Sequence, residues 1–218
     1  MGGVTGKDLG LNFFLNERFF LFHPRVYGAN ESKVYLNKSG DFAVIFPIPS
    51  MDYDNYNGRA KQLGLKTSTK QKNYLMERLK YLEKSFNNRS WEHIKILEVG
   101  ANEGDFLNLI KEKYKNTFLM GVDPCANLGQ YKKIKGIKLY RKVEDISEHK
   151  FDVICMFHTF EHFIDPISEL SKLKKLLTPQ GFFVIEIPSL FDPLNCLYQI
   201  SEFRDFYFQK QHPYVYTA

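Results

Sequence analysis

Two kinds of hydrophobic spacing divide the chain near residue 90. Before it, residues 33–46 (Lys-Val-Tyr-Leu-Asn-Lys-Ser-Gly-Asp-Phe-Ala-Val-Ile-Phe) read as two short strands about a turn at Ser39-Gly40. A tyrosine-rich loop over 51–58 follows. Leu75, Leu79, Leu82 and Phe86 then recur at helical spacing, with Ser68 and Gln71 placed as a capping box, so a helix is expected from about Ser68 to the polar run 87–90.

After residue 90 strands and helices alternate. Buried-type strands are expected at 94–100, 118–122, 137–140, 151–157 and 182–187, with helices at 105–114 and 167–177. Phe106, Leu107 and Ile110 share one side of the first of these helices. Thr178-Pro-Gln-Gly181 is expected as a tight connection into the last strand. Such alternation predicts an α/β fold: a Rossmann-like, mostly parallel sheet with helices on both faces, joined to a small N-terminal α+β region. The segments read as a hairpin and loop region over 1–66, a linking helix over 67–90, a core over 91–192 and an aromatic tail over 193–218.

Composition narrows the class. The chain has 218 residues, 44% hydrophobic and 25% charged, enough to bury a core. Its net charge of +5 is spread through both halves, with no concentrated block that would mark a nucleic-acid track. The lysines of 132–138 and 172–175 read as solvated faces. Cys125, Cys155 and Cys196 are odd in number and widely spaced, which fits a reducing compartment better than a disulfide framework. The opening apolar stretch, 11–22, is interrupted by Asn16, Glu17 and Arg18 and makes neither a signal peptide nor a span. A cytoplasmic protein with no membrane partner is expected.

The most informative stretch is Ile96-Leu-Glu-Val-Gly-Ala-Asn-Glu-Gly-Asp-Phe106. A buried strand runs into Gly100, and Gly104 sits where a helix begins; Asn102, between them, is a residue type that tolerates positive φ. Asp123 ends the next strand, where a carboxylate can accept both hydroxyl protons of a ribose. Dinucleotide folds want G-x-G-x-x-G with a pyrophosphate on the helix N-terminus. Here the glycines read G-x-x-x-G, and Glu98 stands two residues ahead. Its charge would repel a pyrophosphate and suit a cofactor carrying an ammonium and a sulfonium, so S-adenosylmethionine is favoured over NAD.

Residues 94 to about 190 resemble the class I S-adenosylmethionine-dependent methyltransferases. Residues 97–104 are similar to the family's glycine-rich first motif, with Asn102 replacing the middle glycine as in some sugar C-methyltransferases. Gly121-Val-Asp-Pro124 resembles the second motif and implies Asp123, followed by Pro124, at the adenosine ribose. Val143-Glu-Asp-Ile146 falls where the family places its adenine-contacting acid, implying Glu144 or Asp145; plain surface charge fits equally well. Residues 151–166 resemble the "FDVV…HVLEHIxDP" signature of a branch acting on small molecules, often sugars, lipids or quinone precursors. Residues 176–185 resemble "LLxPGGxxxI", with Gln180 for the first glycine. The pre-core tyrosines Tyr53 and Tyr56, with Asp52 and Asp54, resemble a segment that covers the cofactor in relatives; a solvated loop is an equal account.

His158-Thr-Phe-Glu-His162 also fits H-x-x-E-H, in which two histidines on a helix hold zinc. That motif needs a third ligand and both histidines on one helix face. His158 directly follows a buried strand, so no metal is expected. The remaining readings are a cofactor-pocket wall for His158, and for His162 a base or acceptor contact beside Glu161. Against these stands a purely structural role, Glu161 and His162 anchoring their loop through backbone hydrogen bonds.

In the tail, His212, Tyr214 and Tyr216 resemble the family's acceptor-side "H-x-Y-x-F-S" segment, which places His212 with the catalytic candidates. The resemblance also implies a final antiparallel hairpin, which this sequence lacks. A truncated chain, a trimmed sheet, or closure by the aromatic runs 206–208 and 214–216 would each account for that, and truncation is the expectation taken. The expected activity is methyl transfer from S-adenosylmethionine to a small polar acceptor such as a sugar derivative, with the N-terminal region as a cap or dimerisation element, allowing a homodimer. The rivals are an RNA or protein methyltransferase, marked by tight, salt-sensitive RNA binding, and a non-catalytic scaffold that keeps the fold.

Overall fold

The computed structural model describes residues 3–50, 69–86, 90–124, 136–146 and 149–217. The loop with Tyr53 and Tyr56, the capping-box residue Ser68, Cys125 and the lysines of 132–135 lie outside the described residues. The chain forms two compact units: residues 1–51, 158–166 and 186–218 make one, residues 52–157 and 167–185 the other. The units interleave along the chain, where the four sequence-based segments run consecutively.

The second unit holds the parallel sheet. Its strands are β5 (Lys95–Val99), β6 (Phe118–Val122), β7 (Ile137–Tyr140), β8 (Phe151–Phe157) and β9 (Leu177–Glu186), in the order β7-β6-β5-β8-β9. β5 pairs in parallel with both β6 and β8, and β6 with β7. The order reverses between β5 and β8, and ligands of open α/β sheets bind outside the carboxyl ends of strands at such a switch point. Nearly every residue of β5, β6 and β8 is buried, as expected for strands covered on both faces. Helix α1 (Thr69–Ser85) lays Leu79 and Leu82, with Phe86 just beyond, against Ile96, Leu119 and Val153. Helix α2 (Asp105–Lys113) adds Phe106, Leu107 and Ile110 to the same core. Lys113 and the Tyr114 hydroxyl both reach Glu83, tying the two helices together. Helix α3 (Pro166–Lys174) precedes β9.

The stretch 178–181 is not a tight connection. It belongs to β9, which begins at Leu177. Pro179 lacks only an N–H, and extended backbone suits its fixed φ. Gly181 runs so close to β8 that a Cβ there would lie 2.8 Å from the Phe151 carbonyl oxygen.

The first unit is built on an antiparallel sheet, ordered β1-β2-β3-β4-β10: β1 (Val4–Thr5), β2 (Arg18–His23), β3 (Lys33–Asn37), β4 (Phe42–Phe46) and β10 (Tyr214–Tyr216). β3 and β4 form the hairpin expected about Ser39-Gly40. β2 lies in the apolar stretch that the sequence pattern left without an element. Alternate residues of β4 enter two cores: Ala43 and Ile45 join Val34, Val215 and Phe208, while Phe42 and Val44 join Leu9, Phe19 and Tyr214. Burial on both faces explains the unbroken apolar run Phe-Ala-Val-Ile-Phe. The tail returns to this sheet: Tyr214, Val215 and Tyr216 pair with Val44, Ala43 and Phe42. It therefore extends the N-terminal antiparallel sheet, preceded by α4 (Pro193–Cys196) and α5 (Ser201–Tyr207). No helix among the described residues is long and apolar enough to cross a membrane.

Candidate functional site

β5 leaves the sheet through a turn that only permissive residues can make. Gly100, Asn102 and Gly104 have φ of 79°, 44° and 72°, all left-handed. The backbone N–H groups of Gly100 and Ala101 donate to the Val122 carbonyl at 2.7 and 3.1 Å, fixing the turn to the end of β6. The Asn102 N–H donates to Oδ2 of Asp123 at 2.8 Å. Gly104 is the N-cap of α2 and offers no capping side chain, while Asp105 supplies an acid in the first turn. A carboxylate there already complements the helix dipole and opposes a phosphate.

Glu98, on β5 two residues before Gly100, is 5% exposed, and its Oε2 has no hydrogen-bond partner. Burial pushes its carboxyl up to about 8; the Arg78 guanidinium opposes the shift, and the charges of Asp123 and Asp105 add to it. Arg78 sits over the Phe157 ring at 4.8 Å. Near neutral pH Glu98 is thus mostly protonated, a correction to the picture of a bare charge at the strand end. Its physical reason is that desolvation outweighs the opposing Arg78 guanidinium. Pro124 follows Asp123 at the surface, and Glu144 and Asp145 occupy an exposed 3₁₀ turn at Val143–Asp145 beyond β7, Glu144 lying 3.9 Å from Lys172.

The other unit carries His158, His162 and His212. His158 follows β8 with φ of 51° and is half exposed. Its Nε2 pairs with Glu186 at 2.9 Å and its Nδ1 with Glu161 at 3.4 Å. These two carboxylates, Glu161 first, hold the imidazole protonated, up to about 9. At 3.4 Å the Glu161 contact is an ion pair, not a formed hydrogen bond: both Glu161 oxygens are buried without a hydrogen-bond partner. Phe160–His162 is one 3₁₀ turn, so the two histidines of H-x-x-E-H do not share a regular helix. Instead His162 meets the tail. Its Nδ1 donates to the Gln211 carbonyl at 2.7 Å, and its ring meets His212 edge-on with centroids 4.8 Å apart. Burial, reinforced by His162, lowers His212 to about 4 and keeps it neutral. The Tyr214 hydroxyl donates to the Ile164 carbonyl at 2.8 Å, and Phe160 packs on Tyr216, fixing the 158–166 loop to β10.

The structure therefore gathers the predicted site residues into two groups. Glu98, Gly100, Asn102, Gly104, Asp123, Pro124, Glu144 and Asp145 belong to the parallel-sheet unit; His158, Glu161, His162 and His212 belong to the other. Three participants escaped the sequence reading. Arg78 is an unremarked helix position, Gln211 acts through its backbone, and only Glu186, at the carboxyl end of β9, carried a positional signal.

A parallel sheet whose first strand runs through a left-handed turn into a helix, with an acid closing the second strand, defines a nucleoside-binding α/β class. The chain belongs to the methyltransferase domain family, which it matches over residues 68–218. Among solved structures it resembles the plantazolicin methyltransferase BpumL. The complex with a triazolic desmethylPZN analog and SAH shares 18% identity over 74% of this chain and 64% of that one, with a TM-score of 0.54. The pentazolic complex has the same identity and coverage and a TM-score of 0.53. The CurJ carbon methyltransferase shares 17% identity over 72% of this chain and 47% of its own, with a TM-score of 0.48. The chain spans less than two thirds of the length of each of these proteins, and likeness at such identity concerns the fold. No curated protein matches the chain.

Proposed function

We propose that this chain binds S-adenosylmethionine at the carboxyl ends of β5 and β6 and transfers its methyl group to a small polar acceptor, a sugar derivative being the class favoured by the resemblance of residues 97–104 and 151–166. The observation that carries the reading is Glu98: a buried carboxyl with an oxygen lacking a partner, beside a left-handed glycine turn and the Asp123 carboxylate. An ammonium group can donate to that oxygen as Glu98 gives up its proton, and a ribose diol can donate to the Asp123 carboxylate. That BpumL was solved with SAH agrees with this choice. Gly100, Asn102 and Gly104 would let the cofactor approach the backbone, and Pro124, Glu144 and Asp145 would border the nucleoside.

On the acceptor side we assign Glu161, His162 and His212. The His162 Nδ1–H is taken up by the Gln211 carbonyl, and His212 is held neutral by burial, so an imidazole nitrogen able to meet a hydroxyl proton is present. His158, paired with two carboxylates, positions Glu161 and Glu186.

Calorimetry with S-adenosylmethionine, S-adenosylhomocysteine and NAD tests the cofactor reading. Binding of the first two, weakened in Glu98→Gln and Asp123→Asn, is expected. Preference for NAD, or binding to none of the three by a folded protein, overturns it.

A further inference from the structure

Glu161, His162 and His212 place one ligand atom each within 4.8 Å of one another. We propose that these three side chains form a binding site for a divalent transition-metal ion of the zinc type. The proposal deepens the acceptor-side reading and rests on it for the ion's role in the reaction.

Three observations support the site. Glu161 is 2% exposed, and although His158 faces one carboxylate oxygen at 3.4 Å neither oxygen has a formed hydrogen bond, so a closely bound cation would relieve its desolvation. His162 donates Nδ1–H to a backbone carbonyl, the outer-shell bond that orients metal-bound imidazoles and puts the lone pair on Nε2. The donor set is two imidazoles and one carboxylate, which suits zinc, iron, cobalt or nickel, whereas magnesium and calcium prefer all-oxygen sites. A tetrahedral ion with bonds of ~2.1 Å holds its ligand atoms ~3.4 Å apart, so the three must draw in by at most about 1.4 Å.

This set differs from H-x-x-E-H. His158 is not a ligand here; it is the cation that faces Glu161 when no metal is bound, and Glu186 is its second partner. Three protein ligands leave at least one coordination position open for an oxygen of a bound molecule, and a hydroxyl there would lose its proton more readily. The ion would then meet the acceptor oxygen in place of a direct imidazole contact.

The test uses the full chain, stripped of metal with a chelator and titrated with Co²⁺, whose visible absorption reports nitrogen and oxygen ligation. One equivalent is expected to bind without a thiolate-to-cobalt band, which separates the site from Cys155 and Cys196. Losing one outer-shell bond alone weakens metal sites about 10–100-fold, so Glu161→Gln, His162→Gln and His212→Gln should each weaken binding by at least that much. In the unmodified protein, NMR should show paramagnetically shifted signals from two histidines, a readout independent of whether any variant folds. No stoichiometric binding, a thiolate band, or no shifted histidine signals would each overturn the proposal. S-adenosylmethionine titrated into the metal-free protein separates the failures: cofactor binding without cobalt binding removes the metal site alone.

Discussion

The backbone N–H of Asn102 donates to Oδ2 of Asp123 at 2.8 Å, joining the left-handed turn after β5 to the acid that closes β6. The bond aims the carboxylate, so Asp123 is oriented before any ribose arrives. Replacing it by alanine removes an acceptor for two hydroxyls and frees the turn. Hydrogen bonds to a charged group contribute about 1.5–3 kcal/mol. Asp123→Ala should therefore weaken S-adenosylmethionine roughly 10–100-fold by calorimetry, with the far-ultraviolet circular dichroism unchanged.

Asn102 has φ of 44°, a conformation glycine adopts without strain. Asn102→Gly should keep the fold and cofactor binding, whereas Asn102→Val should lower thermal stability by about 1–2 kcal/mol. Equal melting temperatures for the two variants would show that the left-handed turn is not what selects this residue.

Glu98 gives a pH dependence with a defined sign. Its folded value, about 8, lies above the ordinary 4.5, so between these pH values the native chain holds a proton that the unfolded chain releases. The associated stability is complete below pH 4.5 and is lost as pH rises through 8. Glu98→Gln, permanently neutral, should flatten that slope and be more stable than the parent at pH 9 by roughly 1–3 kcal/mol in denaturant unfolding. Cofactor binding runs the other way. A cation beside Glu98 favours its ionised form, so binding at pH 7 should release close to one proton, measured by calorimetry in buffers of different ionisation enthalpy. Glu98→Gln should lose that release.

Gly121 sits in β6 where a Cβ would lie 2.1 Å from Leu139 and 2.7 Å from Ala101. Gly121→Ala should destabilise by about 1–3 kcal/mol through overpacking, and by disturbing Ala101 it should also weaken cofactor binding. A melting temperature equal to the parent's would mean that β7 yields freely.

The Tyr214 hydroxyl is the donor to the Ile164 carbonyl. Tyr214→Phe leaves that carbonyl without it and should cost about 1 kcal/mol. Faster hydrogen exchange confined to residues 158–166 is the signature that separates loop anchoring from a general loss of core packing.

By itself the sequence determined the strands of the parallel sheet and the turn that leaves β5. Strand 94–100, the glycines at 100 and 104, Asn102 and Asp123 are set by hydrophobic runs and by residues whose φ preferences act locally, so each is readable from its neighbours. The β3–β4 hairpin was legible for the same reason. Tertiary structure decided what depends on partners distant along the chain. Tyr214–Tyr216 joins β4 because Phe42, Ala43 and Val44 present a matching edge, and no local pattern names that edge. The Glu98 carboxyl is raised to about 8 because folding removes its water, a cost that the Arg78 guanidinium offsets only in part. Glu161 and His162 meet His212 because their loop is fastened to β10 through Gln211 and Tyr214, contacts that spacing along the sequence does not encode.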